Sequence, residues 1–414
     1  METQWGVHPI YETWRLTYIR STANDFLYNL SMRKKILVLI PDKLVHATGG
    51  MGENMTPILK ILSNIYDFYV VGFPASADEI PKFLKGYIGF QNPFPNVQFS
   101  PISCLNVQLE CFCAALGFPK PDLILAYDWS VYFPAVRLQK HYRVPLAVEM
   151  CLSPIMLSRD GFDYGLDLEA AASREIHHTF CEMEKTGLFE ADRIVQISNG
   201  YARRFSEVAA FGAKTRIVPM CIDFEKWRGP VEQYELPGTR PHKIIFIGRF
   251  VENKGILQLC KARIPDAIDL IFIGAKETAS KSCMDAIHEM VKNNHNVHYI
   301  GPLYGEDKIR ALRSADGLIV PSLHEPFGIV GLEGLASECI VLSSRADGLG
   351  DFLTDRTSVS CGRDPLSIER AYERFLKMGE QAKREMKKNG LDVCQGYSAE
   401  NVAESLKNVF IDLL

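Results

Sequence analysis

The sequence lacks any apolar run that spans a bilayer: its cleanest stretches, KILVLIP at 35–41 and LIFIG at 270–274, are strand-sized against the roughly 20 residues a membrane helix needs. It also lacks an excess of positive charge. Lys+Arg number 46 against 50 Asp+Glu, a net charge of −4, so nothing in the bulk draws the chain to nucleic acid or anionic lipid, and any phosphate must be held by a local site. The first twenty residues carry no continuous apolar segment of the kind a secretory leader has. Eleven scattered cysteines, an odd number, suit thiols in a reducing compartment better than a disulfide framework, so the cytosol is the expected location. Low-complexity tracts and short-period repeats are missing as well.

What is present is a packed, enzyme-like composition, 47% hydrophobic and 23% charged over 414 residues, which at about 150 residues per domain suggests two to three domains. Residues 1–33 read as an extension whose apolar positions Trp14, Leu16, Tyr18, Ile19, Phe26, Leu27 and Leu30 follow a helical spacing. From residue 34, short apolar runs alternate with helical stretches: KILVLIP, FYVVGF (68–73), DLILAY (122–127), PLAVEM (145–150), RIVQIS (193–198) and RIVPM (216–220). Buried parallel strands read this way. The Pro- and Gly-containing segment 228–243 breaks the rhythm and marks a boundary. A second series follows, KIIFIG (243–248), IDLIFIG (268–274), NVHYI (296–300), GLIVPS (317–322) and CIVLSS (339–344). Strand–helix alternation with right-handed crossovers predicts two Rossmann-like doubly wound α/β domains, 34–236 and 237–395, facing across a cleft. Residues 396–414 form an amphipathic helix, capped by Ser398, that can cross back to the first domain.

Ligands of such sheets bind beyond the carboxyl ends of the strands, and three features fall there. HATGGMGEN (46–54) follows the first strand, and Gly49 and Gly50 let backbone approach an anion. The Thr56-Pro57 pair is a good helix start, which places the helix nearer 56 than 50. A plain glycine turn is the alternative, and a glycine cluster alone carries little weight. GRFVENKGI (248–256) follows the first strand of the second domain: Gly248 opens the loop, Arg249 offers a planar fork and Lys254 a mobile point charge, a combination suited to two phosphates, and a solvated basic pair on a loop accounts for the isolated pattern equally well. PSLHEPFGIVGLEGLA (321–336) sets Glu325 and Glu333 eight positions apart across a loop-to-helix junction. The amides of Phe327, Gly328 and Ile329 can face an anion, and each carboxylate can accept from a diol. His324 can line the same cleft or be an ordinary loop histidine. Trp129 is either a sugar platform or core, with core favoured. Cys104, Cys111 and Cys113 lack a four-ligand spacing for zinc.

Taken in order and spacing, GGMGE, ADRIVQISNGYARRF, RIVPMCIDFEKW, GRFVENKG, EPFGIVGLE and DGLGDFL resemble the retaining glycosyltransferases of GT-B architecture, in particular glycosyltransferase family 4 and the glycogen and starch synthases. The resemblance covers about residues 34–414. It implies a hexosyltransferase acting on a nucleoside diphosphate sugar such as UDP-glucose, with no metal or other cofactor. Arg249 and Lys254 would hold the diphosphate, Glu333 the ribose and Glu325 the transferred sugar. The amides at 327–329 would take the distal phosphate, and Gly49 and Gly50 would face the donor from the opposite domain. The acceptor is a glycan or another hydroxyl compound. Departures fall on the sugar side. Ala47 stands where glycogen synthases carry lysine, and the family's His-x-His-Asp reads LAYDW, which puts Tyr127 in place of a sugar-contacting histidine while Asp128 remains. A usual His-Asn reads Glu149-Met150, and Asn-Gly reads Met220-Cys221. The alternative reading is a nucleotide-sugar-binding protein of the same fold without catalysis.

Overall fold

A computed structural model describes residues 18–19, 33–42, 44, 50–73, 75–90, 108–109, 111–162 and 171–414. Gly49, His46, Ala47 and Cys104 lie outside the described residues.

The first sheet has eight strands in the order β1-β4-β3-β2-β5-β6-β7-β8: β1 (Tyr18–Ile19), β2 (Lys35–Leu39), β3 (Asp67–Gly72), β4 (Gly86–Gly89), β5 (Leu123–Tyr127), β6 (Leu146–Met150), β7 (Arg193–Gln196) and β8 (Thr215–Ile217). All are parallel except the edge strand β1, which runs antiparallel to β4. The extension is therefore extended at Tyr18 and Ile19, not helical as its spacing suggested, because the free edge of β4 offers backbone donors and acceptors that a two-residue strand satisfies. The second sheet, all parallel, runs β11-β10-β9-β12-β13-β14 through β9 (His242–Ile247), β10 (Ile268–Ile273), β11 (Val297–Tyr299), β12 (Gly317–Val320), β13 (Ile340–Ser343) and β14 (Ser358–Ser360).

The strands bury both faces. β3, β5, β6 and β10 have every residue buried, as continuous apolar runs under helices require. Besides Tyr18–Ile19, two further strands were not foreseen from sequence, Gly86–Gly89 and Ser358–Ser360. One is half glycine and the other is Ser-Val-Ser, so neither carries an apolar run.

Helix Gly50–Leu62 begins earlier than Thr56-Pro57 predicted. The Asp42 carboxylate accepts from the Gly52 amide at 3.1 Å, and the Thr56 hydroxyl donates back to the Gly52 carbonyl at 2.9 Å. The first turn is thus stabilised before Pro57, and burial of Met55, Ile58, Leu59 and Leu62 carries the helix through it.

Between Arg228 and His242 the chain has no regular structure. It returns at the end. Helix Glu380–Gly396 packs on helix Ile329–Ala336, with Gly390 against Leu335. The Ile222 amide then donates to the Tyr397 carbonyl at 2.9 Å, and helix Ala399–Ile411 inserts Val402, Ala403, Leu406, Val409 and Phe410 into the core built on Ile36 and Val38.

Candidate active site

Both sheets reverse strand order at one point, between β2 and β5 and between β9 and β12, and crevices open beyond the strand ends there. The loops after β9 and β12 are GRFVENKG and PSLHEPFG, so the topology brings two sequence features to one place. Asn253 joins them: its carbonyl accepts from the Leu323 and His324 amides at 2.8 and 3.2 Å. Gly255 completes the junction. At φ 74° its missing Cβ would stand 2.1 Å from the Pro321 carbonyl oxygen, a site that only glycine fits.

On this frame Lys254 Nζ lies 2.5 Å from Glu325 Oε2, both largely buried. The Ser322 hydroxyl donates to the same oxygen at 3.1 Å. Arg249 stands exposed on the loop just after β9 and Gly248. The Phe327 ring is buried, and Gly328, at φ 89°, starts helix Ile329–Ala336. None of the amides of Phe327, Gly328 and Ile329 donates to a backbone carbonyl among the described residues, leaving a helix N-terminus with unengaged donors. One turn further along, buried Glu333 accepts from Lys308 Nζ at 2.6 Å. Lys308 also lies over the Trp227 ring at 5.5 Å. Sequence reasoning missed Lys308, which sits within GEDKIRALR (305–313) with no local motif to mark it.

The strand ends of the first domain are built differently. Tyr127 is fully buried rather than presented to a sugar, because its hydroxyl turns inward to Asn54 at 3.5 Å and to Glu149, its β6 neighbour in register. Asp128 has φ 89° and ψ 147°, a conformation a non-glycine residue adopts only when its surroundings impose it. Its carboxylate accepts from the Ser130 amide and hydroxyl at 3.2 and 3.0 Å, yet burial pushes the carboxyl up to about 7. Burial likewise raises Glu149 and Glu184 to about 8. Trp129 is core, tilted on Phe180 at 4.5 Å. Of the glycine loop only Gly50 onward is described; Gly50 opens its helix.

His324 does not line an open cleft. It is completely buried at the seam between the domains, with Nδ1 2.8 Å from Asp160 Oδ2 and 3.2 Å from Arg204. Burial lowers its pKa below the ordinary value, which favours a neutral ring donating to Asp160. Its Nε2 is buried without a partner among the described residues. Burial also works against the Arg204 charge, but Asp347 and Asp160 together hold that guanidinium above its usual value.

Residues 232–392 match the family model for glycosyl transferases group 1. The second domain is a group 1 glycosyl transferase domain. The chain is 25% identical over 301 residues to glycogen synthase of Mycobacterium tuberculosis, covering 70% of this chain and 69% of that protein. To the uncharacterized glycosyltransferase YqgM of Bacillus subtilis it is 27% identical over 363 residues, 84% of this chain and 89% of the relative. Among solved structures it is similar to sucrose-phosphate synthase from Thermosynechococcus elongatus, with a TM-score of 0.73 at 19% identity over 92% of this chain and 99% of that one. It is also similar to Anabaena HepE in complex with UDP-glucose, with a TM-score of 0.68 at 15% identity over 92% of this chain and all of HepE. The two parallel-sheet domains make the GT-B fold. Among the described residues, no helix is long and apolar enough to cross a membrane.

Proposed function

We propose that the protein transfers a hexose, glucose foremost, from a nucleoside diphosphate sugar to an acceptor hydroxyl, with retention at the anomeric carbon and without a metal. The observation that carries this reading is the Lys254–Glu325 pair beside the unengaged 327–329 amides. A cation and a helix N-terminus converge where a departing diphosphate gathers negative charge, and a carboxylate stands next to them to accept from sugar hydroxyls. Arg249, on the adjoining loop, adds a second cation for the diphosphate. Glu333, held by Lys308, is the acceptor for the ribose diol.

In the reaction the bond between the anomeric carbon and the diphosphate oxygen breaks, and the acceptor oxygen bonds that carbon on the same face. The acceptor proton passes to the departing phosphate oxygen. Lys254, Arg249 and the amides stabilise the charge that develops; Glu325 orients the sugar. Closure of the first domain over the donor excludes water. HepE, a relative of the same fold, was solved with UDP-glucose, which supports a nucleotide sugar as donor here.

The test is a screen of UDP-, ADP- and GDP-glucose for thermal stabilisation, then for hydrolysis and for transfer to maltodextrin. Stabilisation by one base with slow release of glucose supports the reading. Stabilisation with no hydrolysis or transfer favours a binding protein without catalysis, and no stabilisation by any of the three contradicts both.

A further inference from the structure

The two domains touch through a compact set of polar contacts that no motif of the donor site accounts for. Ser198, which caps helix Asn199–Ser206 of the first domain, donates to the Pro326 carbonyl at 2.6 Å. The Asn199 and Gly200 amides donate to Asp351 at 2.6 and 2.9 Å. Gly200 packs so closely that a Cβ would stand 2.1 Å from the Asp347 carbonyl.

One turn along that helix, Arg204 spans the seam. One terminal nitrogen is 2.8 Å from Asp347 Oδ1 in the second domain, and the other pairs with Asp160 in the first. Asp160 also accepts from His324 at 2.8 Å. The second Asp347 oxygen accepts from the Glu325 amide at 3.0 Å, and the Gly348 amide donates to the Glu325 carbonyl at 3.0 Å. A continuous chain of bonds therefore runs from two first-domain side chains to the backbone on both sides of Glu325. The Asp347 side chain is 4% exposed and its backbone holds φ 45°, so its position is imposed by these partners.

We infer that Arg204 and Asp160 form an interdomain latch that, on closure, seats Asp347 and His324 and thereby sets the position of Glu325. The inference rests on the proposed transferase reading for its catalytic consequence. Arg204 and Asp160 are positioning residues: they act through Asp347 and His324 and are not assigned to the donor. Formation of the latch and placement of Glu325 are then one event. A donor that binds the second domain alone is held but not turned over until Arg204 reaches Asp347.

The experiment uses the full chain. Small-angle X-ray scattering of the free protein compares wild type with Arg204→Met, Arg204→Lys, Asp347→Asn and the Arg204→Met/Asp347→Asn double variant, all checked by circular dichroism. Arg204→Met is expected to raise the radius of gyration, and Arg204→Lys, which keeps the charge but loses the fork, to fall between it and wild type. The double variant should be no more open than the worse single, since the pair shares one interaction. Turnover of UDP-glucose should drop roughly 30-fold or more in Arg204→Met, as expected when one partner of a buried charge pair is truncated, while calorimetric UDP affinity changes by less than about threefold. Unchanged scattering in Arg204→Met, or additive opening in the double variant, overturns the latch. Equal losses of UDP affinity and turnover overturn its link to Glu325. Failure of wild type to bind any nucleotide sugar defeats the transferase reading, whereas the scattering of the free protein still decides the latch.

Discussion

In the second domain, each buried acid at the donor site faces a lysine, Glu325 with Lys254 and Glu333 with Lys308. In the first domain, Asp128, Glu149 and Glu184 are met by hydroxyls and amides instead: Ser130, Tyr127, and Ser153 with the Ile155 amide. The sheets are built alike, yet the electrostatics diverge. Each acid–lysine pair offers a dianionic ligand a cation to compete for. Acids without a cation are driven toward neutrality by desolvation.

Removing the cation from the donor half should have the largest effect. Lys254→Ala is expected to lower turnover at saturating nucleotide sugar by roughly 10²–10³-fold, about 2.7–4 kcal/mol of preorganised stabilisation, with a smaller change in donor affinity. Steady-state kinetics with the base selected by the thermal screen checks it.

Disturbing the junction that presents Lys254 comes next. Gly255→Ala forces a Cβ against the Pro321 carbonyl at φ 74° and should cost roughly 3 kcal/mol or more of stability, read as a shift in the denaturant midpoint. Glu333→Gln keeps the shape but removes the carboxylate that meets Lys308. It should raise the donor KM by about ten- to a hundredfold, the range for a hydrogen bond to a charged group, with kcat little altered.

The acids of the first domain make the opposite prediction. Glu184 has a native pKa of about 8 against an ordinary 4.5. Between those values the native state keeps a proton that the unfolded chain has released, so this group's contribution to stability falls as pH rises through the window. Glu184→Gln accepts from Ser153 and Ile155 just as the protonated acid does. It should leave the melting temperature unchanged near pH 4 and raise it at pH 8, where the wild-type group ionises. An equal effect at both pH values would mean that Glu184 is charged in the native state, and the comparison would collapse.

Much of the second domain was legible in sequence because its site is local. Lys254, Glu325 and Gly328 lie on two short loops next to apolar runs, Glu333 follows in the helix that the second loop opens, and the strand order delivers both loops to one crevice. The first domain was legible as a sheet but not as a site. Nothing in LAYDW announces that Tyr127 turns inward to Asn54, 73 positions away, and only the β5–β6 register puts it beside Glu149. The seam was invisible for the same reason. Arg204 looks like any basic residue of an amphipathic helix until the chain brings Asp347, 143 positions on, to within 2.8 Å. Pairings of this separation follow from topology and packing, and no window of residues encodes them.

The most direct test of how the donor half works is a crystal structure of the full chain with the nucleotide sugar that stabilises it. The diphosphate is predicted to lie within hydrogen-bond reach of Lys254 Nζ and the amides of residues 327–329, with Glu333 on the ribose. A diphosphate bound elsewhere, with Lys254 still closed on Glu325, would contradict the account.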